Sequence, residues 1–168
     1  APPPLYSFYS TGSGKAGQLF VFPFSGLSAV AHSRNLWPMN RALVIIPTYD
    51  ERENVGPISR AVRAACPDAD ILFVDDNSPD GTGALIDALA AESPRIHAIH
   101  REGKNGLGRA YITGFKWALA HGFEFIFEMD ADFSHNPAEL PHFLEAARSA
   151  HLVIGSRYIG GIRIINWP

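Results

Sequence analysis

The sequence predicts an α/β protein built on an open, mostly parallel, Rossmann-like sheet with helices on both faces. From Arg41 onward, short β-branched or aromatic runs alternate with segments whose apolar residues recur every three or four positions, the pattern of strand and helix in turn. The runs ALVII, ILFV and FIF are continuously apolar rather than alternating, as expected of strands covered on both faces. Four of the runs end abruptly in polar or charged residues, and in open α/β sheets ligands bind beyond the carboxyl ends of the strands.

Each element can be justified in order. Ala42 to Ile46 is a strand closed by Pro47, and TYDEREN follows as a loop. Val55, Ile58, Ala61, Val62 and Ala65 recur at helical spacing until Pro67 stops them. ILFV is a second strand that runs into Asp75 and Asp76, and Ser78, Pro79, Asp80 and Gly81 are turn chemistry. Leu85, Ile86 and Leu89 mark a short helix, Ile96 to His100 a third strand, and REGKNGLG a polar glycine loop. Leu107, Ala110, Tyr111, Gly114, Phe115, Ala118 and Leu119 trace the most regular helical stripe in the chain. The run FEFIFEMDADFSHNP supplies the fourth strand and its acidic end. A helix from about Pro137 to Ala150 follows, with Leu140, Phe143, Leu144 and Ala147 inward, then LVIGS as a fifth strand.

The flanks differ in texture. Residues 1–38 hold Pro2, Pro3 and Pro4, a Gly/Ser stretch and an apolar patch broken by Pro23, with no period long enough to define an element. Met39 stands just before the first regular strand, so residues 1–38 are expected to be an irregular extension, and 39–168 the folded domain. A secretory signal is the weaker reading, because no basic segment precedes an uninterrupted apolar one. The closing IGGIRIINWP reads as a loop with no element after it, so the domain is expected to stop short of its natural end.

Composition excludes several classes of function. With 168 residues, 46% of them hydrophobic, the chain can bury a real core. A net charge of −3 offers no basic field for nucleic acid and no polybasic patch for a membrane. The longest apolar runs fall far short of the roughly 20 residues that span a bilayer. The single cysteine, Cys66, cannot form an internal disulfide and reads as a small half-buried residue at a helix end.

The chemistry should therefore sit at the strand ends. Asp130 and Asp132, one residue apart at the end of a buried strand, point the same way if the chain stays extended. Hard oxygen ligands in that arrangement suit Mg²⁺ or Mn²⁺, which are commonly held by one or two carboxylates plus substrate phosphates. Helix capping or simple solvation is the competing explanation. Asp75 and Asp76 are adjacent and face opposite ways, so one can serve a ligand while the other holds the turn. Tyr49 and Glu51 offer a stacking ring and an acceptor for a base or ribose. Lys104 and the backbone of Gly103 to Gly108 offer counter-charge to a diphosphate at a helix start. Arg157, at the end of a strand, is a candidate diphosphate clamp by its planar fork, with a surface arginine without a role as the competing explanation. His135 either positions substrate or caps the following helix.

Taken together, IIPTYDERENV, ILFVDDNSPDGTG, HREGKNGLGRAYITGF, EMDADFSHNPAELP and VIGSRYIGG with the closing NWP resemble the dolichol/polyprenol-phosphate mannosyltransferases, inverting family 2 glycosyltransferases with a GT-A fold. The resemblance implies a GDP-mannose donor, a divalent metal and transfer of mannose to a dolichyl or polyprenyl phosphate. It places the protein peripherally at the cytoplasmic face of the membrane, with a membrane-anchoring partner subunit or domain. By the same resemblance Pro47, Tyr49, Glu51, Val74 and Asp76 hold the guanosine portion. Asp130 and Asp132 hold the metal and diphosphate, Ala131 contributes its backbone, and Arg157 meets phosphate. Asp132 and Arg157 are the residues expected to act in catalysis. Asp50 stands where asparagine is usual, and Ser134 where some relatives carry a longer glutamine. Three other readings stay open at this stage: a related transferase using UDP-glucose or another sugar nucleotide, a donor-binding fragment that transfers nothing, and a Mg²⁺-binding phosphoacceptor module.

Overall fold

The computed structural model describes residues 6–8, 20–23 and 41–155, the first two groups as backbone only. Seven strands form one sheet: β1 (Tyr6–Phe8), β2 (Phe20–Pro23), β3 (Ala42–Thr48), β4 (Asp70–Asp75), β5 (Ile96–His100), β6 (Phe125–Glu128) and β7 (Val153–Gly155). Four helices connect them: α1 (Arg52–Ala65), α2 (Thr82–Glu92), α3 (Leu107–Ala120) and α4 (Leu140–Ala147), the last preceded by a single 3-10 turn at Pro137–Glu139.

The order across the sheet is β1-β7-β2-β6-β3-β4-β5. Strands β6, β3, β4 and β5 are adjacent and mutually parallel, with β5 at the edge, and β2 enters antiparallel between β6 and β7. The expected α/β class and mostly parallel open sheet are therefore what is observed. The two short strands within 1–38 were not expected. Three- and four-residue strands are too short to display a period of two, and they are strands because the edge of β6 and β7 supplies partners.

The alternation along each central strand divides the core into two layers. Val44, Ile46, Ile71, Phe73, Phe125 and Phe127 face α1, α2 and α4. Leu43, Ile45, Leu72, Val74 and Ile126 face α3. Each of these side chains is essentially out of water, and burying one contributes about 1.5–3 kcal/mol. The approach of α3 is unusually close, because a Cβ on Gly114 would lie 2.6 Å from Cγ2 of Ile45. The helix then stops in a Schellman arrangement: Gly122, at φ 72°, donates its N–H to the Leu119 carbonyl at 3.3 Å, and the Phe123 N–H reaches Ala118 at 3.1 Å.

Element ends depart from the sequence pattern where a distant side chain decides them. The loop expected over TYDEREN gives up Arg52, Glu53 and Asn54 to α1, because an Asp80 carboxylate oxygen accepts the Arg52 N–H at 3.2 Å. Both ends of the α3 stripe, Leu107 and Leu119, are exposed, since they overhang the sheet that covers Ala110, Tyr111 and Ala118. In α4, Ala146 joins Leu140, Phe143 and Ala147 inside, and Leu144 is only partly covered. Cys66 caps the end of α1, half-buried as expected, and burial followed by the nearby Asp68 charge pushes its thiol pKa up.

At the amino end of the sheet, the buried Asp70 carboxylate meets Arg41 at 3.3 Å, Arg95 at 3.1 Å and His97 at 2.9 Å. Arg41 also lies 4.0 Å over the Phe123 ring, and Trp117 stacks on His121 at 3.9 Å between centroids.

Candidate active site

The strand order reverses beside β3. The chain runs outward through β4 and β5, then returns to place β6 on the other side of β3. Such a switch point leaves a crevice beyond the carboxyl ends of the two strands that flank it. Here those ends carry Thr48-Tyr49-Asp50-Glu51 and, just past β6, Asp130-Ala131-Asp132.

On the β3 and β4 side, the adjacent aspartates divide their work. Asp75 holds the turn: its carboxylate accepts the Thr48 hydroxyl at 3.1 Å, the Ser78 hydroxyl at 2.6 Å and the Ser78 N–H at 3.1 Å. Asp76 faces the other way and pairs with Arg101 at 2.8 Å, both largely buried. Asp50 adopts a left-handed φ of 59°, a conformation that Asp and Asn tolerate better than other side chains. The position therefore accepts aspartate without unusual strain. Glu51 accepts from the Asn54 amide at 2.6 Å, and its N–H donates to the Thr82 hydroxyl at 3.0 Å. The Tyr49 ring lies 4.0 Å beneath the Lys104 ammonium. Pro47 is half-buried one residue before the end of β3, whereas the Val74 side chain is fully buried beneath α3 and forms floor rather than rim.

The acidic pair is built differently from the expectation. Strand β6 ends at Glu128, so Asp130 and Asp132 lie in a turn. Their convergence owes something to the alternation, since Met129 and Ala131 still point into the core, but the closing contact is Ser134. Its hydroxyl donates to Asp130 Oδ2 at 3.4 Å, and its N–H donates to Asp132 Oδ1 at 2.9 Å. Asp130 Oδ1 accepts the Tyr111 hydroxyl of α3 at 3.1 Å. The Asp130 N–H donates to Nδ1 of the buried His135 at 3.0 Å, so His135 secures this turn, and the cap expected of it falls instead to Asn136, whose side chain accepts the Ala138 N–H. Between the carboxylates and Ser134, Phe133 sits exposed at φ 62°.

Burial sets the electrostatics. It lowers the His135 pKa despite the opposing charges of Asp130 and Asp132, which favours the neutral ring, and the Asp130 N–H selects the tautomer in which Nδ1 accepts. Burial also raises Glu128, aided by the Asp130 charge, and raises the Tyr111 hydroxyl strongly, aided by Asp130 and Glu128. Tyr111 is thus a permanent donor to Asp130. Among the described residues no group of three His, Cys, Asp or Glu forms a metal cage. An oxygen-only pair with one exposed carboxylate fits a hard divalent cation that takes its remaining ligands from water and phosphate.

The structure brings Pro47, Tyr49, Glu51, Asp76, Lys104, Asp130, Ala131 and Asp132 to the carboxyl side of the sheet. Arg157 and the NWP segment lie outside the described residues. Sequence reasoning missed Arg101 and Tyr111. The first stands at a strand end like Asp76, with which it pairs, and the second was absorbed into the apolar stripe of α3. Its hydroxyl was the available signal, because a buried tyrosine needs a partner.

Residues 43–168 match the pattern of Glycosyl transferase family 2. An undecaprenyl-phosphate mannosyltransferase of Micrococcus luteus is 53% identical over 128 residues, 76% of this chain and 53% of that protein. A polyprenol monophosphomannose synthase of Mycolicibacterium smegmatis is 55% identical over 133 residues, 78% of this chain and 50% of that one. The chain thus spans about half the length of the curated relatives it matches. The crystal structure of S. aureus TarS 1–349 superposes with a TM-score of 0.52 at 21% identity, covering 63% of this chain and 31% of that one, a likeness of fold. With the family pattern running from β3 to the last residue, over the whole edge that carries the acids, the chain belongs to glycosyl transferase family 2.

Proposed function

We propose that this chain is the donor-binding part of an enzyme that transfers mannose from GDP-mannose to a dolichyl or polyprenyl phosphate, with inversion and with Mg²⁺ or Mn²⁺. The observation that carries the reading is the acidic pair at the switch point, held by Tyr111, Ser134 and His135, on the same side of the sheet as Tyr49 and Lys104. The names of the curated relatives support mannosyl transfer to a polyprenyl phosphate.

Tyr49 offers a flat face for a base, and Glu51 and Asp76 offer acceptors nearby. Lys104 lies on the Tyr49 ring, within reach of a diphosphate laid along the glycine loop. A divalent cation held by Asp130 and Asp132 would neutralise charge developing on the GDP leaving group. The acceptor phosphate has a second pKa of about 6, so at neutral pH it is already largely an anion. The chain therefore supplies no obligate general base, and its task is to hold two anionic groups beside each other. No helix among the described residues is long and apolar enough to cross a membrane. The reading places the protein peripherally at the cytoplasmic membrane surface, where a polyprenyl phosphate would be presented, beside an anchoring subunit or domain.

Calorimetric titration of the chain with GDP and with UDP, each with Mn²⁺ or Mg²⁺, tests the donor. Preference for GDP is expected, and equal or stronger binding of UDP would move the assignment to a uridine-linked sugar. Transfer of radiolabelled mannose to polyprenyl phosphate, by a protein that carries this chain at its relatives' full length, tests the reaction. Retention of metal and donor affinity by Asp132→Asn with loss of turnover would restore a base to the mechanism.

A further inference from the structure

The proposed metal pair leaves one group unexplained: the hydroxyl of Tyr111. A tyrosine on the sheet-facing side of a helix ordinarily contributes its ring to the core and settles its hydroxyl on a backbone carbonyl or on water. Here the residue is 8% exposed, packs with Leu43, Ile45 and Val74, and spends its hydroxyl on Asp130 Oδ1 at 3.1 Å. Ser134 takes Oδ2 at 3.4 Å, and His135 takes the Asp130 N–H at 3.0 Å. Both carboxylate oxygens and the backbone of Asp130 are thereby fixed by three residues outside the acidic pair.

The donors on the two oxygens are neutral hydroxyls. Each carboxylate oxygen has two acceptor sites, so one hydrogen bond per oxygen orients the group and leaves capacity for a cation. Tyr111 is itself fixed by the close approach of α3 at Gly114, one turn further along, where the absence of a Cβ lets the helix touch Ile45. We infer that Tyr111 is a positioning residue for the metal: its hydroxyl holds Asp130 in the orientation in which a divalent cation is captured, so that the cation need not order the side chain itself. The inference rests on the reading of Asp130 and Asp132 as the metal pair.

Mn²⁺ binding, followed by electron paramagnetic resonance with and without GDP, reads this directly. Tyr111→Phe keeps the ring in the core and removes only the hydroxyl. Partners of metal ligands typically contribute about 10–100-fold to affinity, and a loss of about tenfold is expected here. Ala118→Gly is the control. It lies on the same buried face of α3 but away from Asp130, and should lower the melting temperature with Mn²⁺ affinity kept. Equal affinity of Tyr111→Phe and the unsubstituted chain would overturn the inference. So would an equal loss in Ala118→Gly, which would reduce Tyr111 to general support of the helix. Failure of the unsubstituted chain to bind Mn²⁺ under either condition would overturn the metal pair as well, which separates the two claims.

Discussion

Asp70 at the amino end of the sheet and Asp130 at its carboxyl end are both acids in contact with several donors, yet the donors differ in kind. Asp70 is surrounded by Arg41, Arg95 and His97, so its charge is answered within the fold. Asp130 is met by the hydroxyls of Tyr111 and Ser134, which orient it without cancelling its charge. The first arrangement ties β4 to β5 and to the start of β3. The second leaves negative charge at an open edge, with Asp132 exposed beside it. An acid matched to cations is structure, and an acid matched to dipoles is capacity for a ligand.

Substitution should separate the two ends. At the carboxyl end, in a protein that carries this chain at its relatives' full length, Asp132→Asn is expected to lower the proposed mannosyl transfer by about a hundredfold to a thousandfold and leave the melting temperature nearly unchanged, because an asparagine oxygen can still accept the Ser134 N–H. A loss of thermal stability in step with activity would make Asp132 structural and erase the contrast. At the amino end, Asp70→Ala should cost about 3 kcal/mol in denaturant unfolding, the low end for breaking a buried pair, because Arg95 is partly exposed. GDP affinity should stay as it was.

Phe133→Gly refines the comparison, since backbone strain tends to cluster at functional sites. A bulky residue at φ 62° forgoes about 1–2 kcal/mol relative to glycine, so the substitution should raise stability by about 1 kcal/mol. A destabilised variant would mean that the ring packs usefully at the edge. The smallest effect concerns Asp80, whose carboxylate serves both the α1 and α2 starts. Hydrogen bonding to Thr82 is the chief reason its pKa is lowered. A depressed acid contributes stability above its unfolded pKa and loses it as pH falls through the folded value. Asp80→Asn should therefore lower stability slightly at neutral pH and leave the acid end unchanged, which flattens the acid limb of the stability profile.

The legible part of this fold was the part written in periods. Continuous apolar runs and the α3 stripe located the central strands and helices because both faces of the sheet are covered. Boundaries were not legible where a cap comes from elsewhere in the chain, as Asp80 caps α1. Strands β1 and β2 were too short to leave a pattern. In the site, the acids were visible because charge at the end of an apolar run is conspicuous. Their supports were not: Tyr111 is indistinguishable from core by spacing, and Ser134 contributes through a turn that only the folded chain forms. The convergence of Asp130 and Asp132 was foreseen for an extended strand, whereas the strand stops at Glu128.

The reversal of strand order beside β3 also imposes a schedule on folding. Strand β3 meets β4 and β4 meets β5 through neighbouring stretches of chain, with Leu43 opposite Asp70 and Ile71 opposite Ile96. By contrast, β6 must return past all of these to set Phe127 opposite Val44. Longer closures cost more entropy and come later. Half of the crevice is therefore in place before the acidic half arrives, and until then the apolar edge of β3 stands open to other chains. Pulse-labelled hydrogen exchange during refolding should protect β4 amides before those of β6, and simultaneous protection would show a sheet that closes in one step.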